Sequence, residues 1–167
     1  SALAANTTAF GNTAVGSTAL SATTTGGSNT GVGLSALQGN TTGEKNTAVG
    51  GGALAGWSGF TGNYNTAVGF MAGSSNTSGS DNLAIGYYAL KWNTTGTYNV
   101  AVGGDALRNS TASNNTAVGM SALTANTTGS GNSALGKGSL AANTTASYST
   151  GLGENALLSN TTGGSNT

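Results

Sequence analysis

The chain contains no cysteine, no proline and no histidine, and only 5% of its 167 residues are charged. Without cysteine or histidine, thiol nucleophiles, Ser–His–Asp catalysis, haem ligation and the common zinc sites are excluded. The lack of proline agrees with strands that are paired on both sides, because proline removes a ladder hydrogen bond. The lack of cysteine fits a cytoplasmic protein, and equally a surface or virion protein that is stabilised by repetition.

The few charges are balanced and scattered. Four Lys or Arg and four Asp or Glu give a net charge of zero. No basic stripe follows a phosphate backbone, so we expect no nucleic-acid partner. The acids occur singly in different parts of the chain, so we expect no enzyme, no cofactor and no metal site. No apolar run approaches the roughly 20 residues of a membrane span, so we expect no membrane insertion by this segment.

A short block, NTAVG, recurs along the whole chain. It stands at 12–16, 46–50, 65–69 and 115–119, and near variants fill the gaps at intervals of about 17 residues. The consensus is N-T-A-V-G-x-x-A-L-x-x-N-T-T-G-x-x, which we number as repeat positions 1 to 17. Residues 1–167 are therefore predicted to form one array of nine full repeats with a partial repeat at each end. Since neither end looks like a cap, we expect a segment of a longer fibre.

The repeat predicts short strands and turns. Positions 2 and 4 share one face of an extended chain, and the always small position 3 points the other way. We assign the position 4 aliphatics to the core and position 3 to a flat face where neighbouring chains approach. The Ala-Leu step predicts a second short strand, and N-T-T-G predicts a turn. The fold class is therefore an all-β parallel β-solenoid of 17-residue turns, whose thin core favours self-association.

Two stretches carry a family resemblance. NLAIGYYAL (82–90) and NVAVGGDAL (99–107) resemble the head repeats of YadA-like trimeric autotransporter adhesins, whose pattern is close to S-V-A-I-G-x-x-A/S. The full 17-residue form also resembles phage tail-fibre shaft repeats. The resemblance covers the whole chain and implies a left-handed β-roll, an intertwined homotrimer and an extracellular place at a cell surface or on a virion. The longer repeat and the extra N-T-T-G turn depart from the adhesin pattern.

The aromatic residues interrupt the repetition. Eight of them lie between residues 57 and 98, and Trp57 and Phe60 stand near the point where one repeat carries two extra residues. Exposed aromatic rings stack on sugars or anchor protein partners. The other interpretation is that they cover a seam between chains or pack on one another. The candidates for contact with a cell-surface glycan or host receptor are Trp57, Phe60, Tyr64, Phe70, Tyr87, Tyr88, Trp92 and Tyr98.

The N-T-T-G segments also create glycosylation sequons. Asparagine followed by any residue and Thr is an acceptor pattern, yet Asn-Thr-Thr is also good turn chemistry at a fixed place in every repeat. We favour the turn interpretation and keep glycosylation as the alternative. The acceptors concerned are Asn40, Asn93, Asn126, Asn143 and Asn160.

Three functions follow as hypotheses. The first is a structural shaft or head module of a surface filament, adhesin or phage tail fibre that mediates attachment, with copies of itself as partners. The second is a glycan-binding module that uses the aromatic patch. The third is an ice-binding solenoid, because Thr13, Thr30, Thr47 and Thr66 would stack in register until Leu83 and Val100 interrupt them.

Overall fold

The computed structural model describes residues 1–57 and 59–167. It contains nine three-residue strands in one parallel sheet whose strand order is the sequence order. The described residues include no helix that could cross a membrane. The strands β1 to β9 are Thr13–Val15, Thr30–Val32, Thr47–Val49, Thr66–Val68, Leu83–Ile85, Val100–Val102, Thr116–Val118, Ser133–Leu135 and Thr150–Leu152.

Each strand pairs with the next in a fixed register. Thr13 lies beside Thr30, and Thr30 lies beside Thr47, so equivalent repeat positions stack. Stacked residues are 17 apart in sequence, except for 19 between β3 and β4 and 16 between β6 and β7. The prediction of a parallel β-solenoid with one repeat per turn is therefore confirmed. The extra and missing residues of these two repeats lie in the connections between strands, so the register of the strands is unchanged.

The glycine after each strand is fixed by two constraints. Gly86 has φ of 132°, a conformation that only glycine adopts readily. A Cβ atom on Gly86 would also lie 2.7 Å from the carbonyl carbon and oxygen of Gly103 in the next turn. Because the same approach recurs in every turn except the last, these glycines form a continuous spine that has no room for a side chain up to Gly136.

The prediction about which strand face is buried was wrong. Position 3 points into the core: Ala48, for example, is fully buried, whereas Val49 of the same strand is exposed. The interior admits only a methyl group there because a leucine fills the remaining space. A Cβ on Gly31 would lie 3.3 Å from Leu20 Cγ. The small residue therefore packs against its own core and not against a neighbouring chain.

The Ala-Leu step is a turn and not a second strand. Leu20, Leu37 and Leu90 have φ of 53°, 52° and 54°, in the left-handed region that leucine seldom adopts. All three are almost completely buried. This turn aims each leucine into the interior, where the leucines form the centre of a thin core between rows of alanine.

A buried ladder of asparagines joins the turns through repeat position 1. The backbone N–H of Asn46 donates to Asn29 Oδ1 at 2.9 Å, and Asn46 Nδ2 donates to the same oxygen at 3.1 Å. Asn46 Nδ2 also donates to the carbonyl oxygen of Gly62 at 2.9 Å. In the same way, Asn65 donates its backbone N–H to Asn46 Oδ1 at 2.9 Å. The ladder thus satisfies polar groups that would otherwise be orphaned inside the coil.

Candidate functional site

The exposed side of the sheet is formed by positions 2 and 4 of every turn, and we call it the outer face. All of its side chains are at least partly exposed, and none is charged. Position 2 carries Thr in six turns, Ser in one, and Leu83 and Val100 in the middle. The position 4 column is aliphatic throughout: Val15, Val32, Val49, Val68, Ile85, Val102, Val118, Leu135 and Leu152.

The aliphatic column is unusual for a free surface. Val68 and Ile85 are each 37% exposed, and Leu152 at the end of the sheet is 73% exposed. Single apolar residues on a surface need no explanation, but a contiguous stripe usually marks an interaction site. Because parallel pairing holds the column in register over nine strands, the outer face is one continuous surface.

A second surface lies where the chain leaves the strands, and we call it the aromatic strip: Trp57, Phe70, Tyr87, Tyr88 and Trp92. The ring centroids of Phe70 and Tyr87 are 5.9 Å apart with an interplanar angle of 12°. Those of Tyr87 and Tyr88 are 3.9 Å apart. These three rings come from two successive turns and form one platform.

Two cations lie on this platform. Lys91 Nζ is 4.0 Å from the ring centroid of Tyr88 and 4.5 Å from that of Trp92. The guanidinium carbon of Arg108 is 5.3 Å from the Tyr88 ring, and its NH1 atom lies 3.4 Å from Asp105 Oδ1. Among the residues that the structure describes, no carboxylate pairs with Lys91. The strip therefore carries one uncompensated positive charge.

The aromatic strip ends in a small cleft. Its volume is about 180 Å³, and its lining is almost wholly apolar. The cleft exists because Gly51 and Gly52 stand where neighbouring turns carry larger side chains. It is lined by Leu34, Ser35, Gly51, Gly52, Trp57, Phe70 and Met71. One end of the strip is therefore concave, as ligand sites usually are.

The structure separates the two aromatic residues of the insertion. Trp57 is 62% exposed and lines the cleft. Phe60 is completely buried in the core and forms a bridge with Asn40, so it occupies the place of a buried asparagine in other turns. The prediction that Phe60 contacts a receptor was wrong, because its ring is unreachable from outside the folded chain. Only the apolar character of Phe could have indicated this in the sequence.

Tyr64 and Tyr98 lie outside the aromatic strip. Both stand at position 17, just before a strand, whereas the strip follows the strands. Lys45 Nζ donates a hydrogen bond of 3.1 Å to Tyr64 Oη, which raises the pKa of Lys45 above its usual value. These tyrosines remain exposed, but the structure does not bring them together with the other candidates.

The asparagines of the sequons are structural. Asn40, Asn93, Asn126 and Asn143 are completely buried. Asn93 Nδ2 donates to the carbonyl oxygen of Gly96 at 2.9 Å, and Asn160 Nδ2 makes the equivalent bond to Gly163. A glycan cannot be attached to the four buried amides in the folded chain, since each would have to leave the core. The turn interpretation of these asparagines is the one that the geometry supports.

Comparison with known proteins gives no relative. No family model, no curated protein and no solved structure matches the chain.

Proposed function

We propose that this chain is a structural module of an extracellular fibre, such as a surface filament, an adhesin or a phage tail fibre, that mediates attachment. In this proposal, copies of the chain associate through the outer face into a homotrimer. The observation that carries the proposal is the unbroken aliphatic column over nine strands. The resemblance to trimeric adhesin heads and tail-fibre shafts supports a trimer, a left-handed coil and an extracellular location.

The energetics of the outer face favour association. Complete burial of a Val-sized side chain is worth about 1.5–3 kcal/mol, and the column residues are already partly covered. A gain of roughly 1 kcal/mol at each of nine strands is comparable with the cost of association, about 4–15 kcal/mol. No charge on the face has to be desolvated. Self-association through this face is therefore the simplest way to complete a thin solenoid.

Single cysteines test the proposed contact, because the natural chain contains none. Val68→Cys places a thiol in the middle of the outer face, and Thr95→Cys places one on an exposed turn. We expect oxidation to link Val68→Cys chains into disulfide dimers much faster than Thr95→Cys chains at equal concentration. Equal rates for the two variants would contradict contact through the outer face.

Ice binding is a second candidate for the same face. It is favoured by the register of Thr13, Thr30, Thr47 and Thr66, which places methyl and hydroxyl groups in a regular row on an uncharged sheet face. The aliphatic column runs parallel to that row. This function requires the outer face to be free of other chains, so it competes directly with self-association.

Thermal hysteresis of the purified chain tests the second candidate. An ice-binding face predicts hysteresis that Thr47→Lys abolishes, because the longer lysine side chain interrupts the row of threonines. The matched variant Thr42→Lys changes an exposed turn residue and should leave the hysteresis intact. Absence of thermal hysteresis in the natural chain would exclude ice binding.

A further inference from the structure

We propose that the aromatic strip and its cleft bind a linear acidic oligosaccharide that lies along the axis of the coil. The inference is independent of the proposed function, because the strip lies outside the outer face. It combines three features of adjacent turns: stacked rings, an apolar cleft and an unpaired ammonium group.

The rings are arranged to receive sugar faces. Phe70 and Tyr87 lie nearly parallel on successive turns, and both remain about half exposed although they stack on each other. The apolar faces of pyranose rings pack on such platforms, while their hydroxyl groups bond to polar groups at the edge. Tyr87, Tyr88 and Asp105 supply such groups beside the platform. Packing between the rings explains why they are held in place, but it leaves Phe70 and Tyr87 about half exposed.

The cleft supplies a defined end for the ligand. Gly51 and Gly52 remove the side chains of one turn, so that Leu34 on one side and Phe70 on the other face an open space of about 180 Å³. The inserted segment places Trp57 at the rim of this space. A cleft of this size, which is smaller than a drug-sized pocket, suits about one sugar ring. The chain departs from its repeat at the point where it builds this cleft.

The positive charge of Lys91 favours an acidic ligand. Lys91 lies over two rings at 4.0 and 4.5 Å and makes no ion pair among the described residues. Arg108, by contrast, is paired with Asp105 at 3.4 Å. Tyr87 covers one face of the Tyr88 ring and Lys91 lies over that ring, so the sugar would stack on Phe70 and Tyr87, and a uronate or sulfate group at its edge would meet Lys91. The contact would be charge-assisted on a partly desolvated aromatic surface.

The test uses the purified full chain in its natural assembly state. An array of uronate-bearing and sulfated oligosaccharides is screened, and oligogalacturonate of about six residues is compared with its methyl ester by calorimetry. We expect acidic oligosaccharides to bind, and we expect esterification to remove most of the affinity. Salt should weaken the binding, since ionic strength screens exposed charges. If no acidic oligosaccharide on the array binds, the proposal is overturned.

Matched variants locate the site. Trp57→Ala removes the rim of the cleft, and Lys91→Gln copies Gln38 at the same repeat position. Each should weaken binding of the best acidic oligosaccharide by about tenfold, the usual effect of losing a central interface residue. Tyr148→Ser copies Ser28 and removes an exposed aromatic outside the strip, so it should change nothing. Equal binding by the natural chain, Trp57→Ala and Lys91→Gln would overturn the proposal, whatever the oligomeric state.

Discussion

Two neighbouring turns of the coil, residues 29–45 and 46–64, differ in one insertion and in the use of one buried position. The first turn follows the consensus and places Asn40 inside the coil. The second adds two residues overall and places Phe60 there instead. The position 1 ladder runs through both turns without interruption. The ladder and the glycine spine therefore hold the architecture, whereas the segment after the leucine can change length and acquire new side chains.

The insertion has a local cost inside the coil. In another pair of turns, the second buried asparagine of the next turn donates to the oxygen of the preceding one: Asn143 Nδ2 donates to Asn126 Oδ1 at 3.1 Å. Phe60 has no side-chain donor for this place. Asn40 Oδ1, which faces the turn of Phe60, is buried without a partner among the described residues. A buried unpaired acceptor costs about 1–3 kcal/mol. The turn that precedes Trp57 therefore carries an unpaired polar atom beside Phe60.

The largest expected effect concerns the ladder that both turns share. Asn46→Leu orphans the carbonyl oxygen of Gly62 and the backbone N–H of Asn65, and it crowds the interior. We expect a loss of about 5 kcal/mol in unfolding free energy, measured by urea denaturation. Asn46→Ser, which imitates Ser149 in the same column, should lose much less. Equal losses for the two variants would show that the ladder is not the source of stability.

The next effect separates the two aromatic residues of the insertion. Phe60→Ala leaves a cavity in the core and should cost about 3–5 kcal/mol in the same measurement. Trp57→Ala, three residues earlier on the surface, should change stability by less than about 0.5 kcal/mol. A large loss in Trp57→Ala would mean that the cleft is part of the core, and the comparison of the two turns would fail.

The smallest effect compares two spine glycines. Gly86 and Gly153 both have strongly positive φ, but only at Gly86 would a Cβ atom meet the next turn. Gly153→Ala should therefore cost about 1–3 kcal/mol from backbone strain alone. Gly86→Ala should cost roughly 1 kcal/mol more, because the clash adds to the strain. If thermal melting gives the same loss for both, the close approach between turns does not constrain the spine.

The periodicity of the sequence was sufficient to predict the architecture of the coil. The recurrence of Asn-Thr-Ala-Val-Gly predicted one turn per repeat, and the register of Thr13 with Thr30 confirms it. The sequence-based prediction assigned the inner and outer faces of the strands the wrong way round. It did so because hydrophobicity alone suggested that Val49 is more buried than Ala48. The space available to position 3 depends on Leu20 and its equivalents, which reach the core from a left-handed turn. Such a turn at leucine has no signal in residue preferences.

The residue types of the candidate sites could be predicted from the sequence, but the positions of their side chains in the fold could not. The sequence indicated that aromatic residues cluster after Trp57, and five of them form the aromatic strip. It did not indicate that Phe60 would replace a buried asparagine or that Lys91 would lie between two rings. Several residues in each turn have positive φ, and this backbone conformation decides whether a side chain points into the core or to the surface. The positive φ values result from packing between turns.

The molar mass of the natural chain in solution shows whether copies of the chain cover the outer face. One chain has a mass of 15.9 kDa. If the outer face is covered by copies of the chain, light scattering coupled to gel filtration should give three times that value over a wide range of protein concentration. A stable particle with the mass of a single chain, even at high concentration, would show that copies of the chain do not cover the outer face.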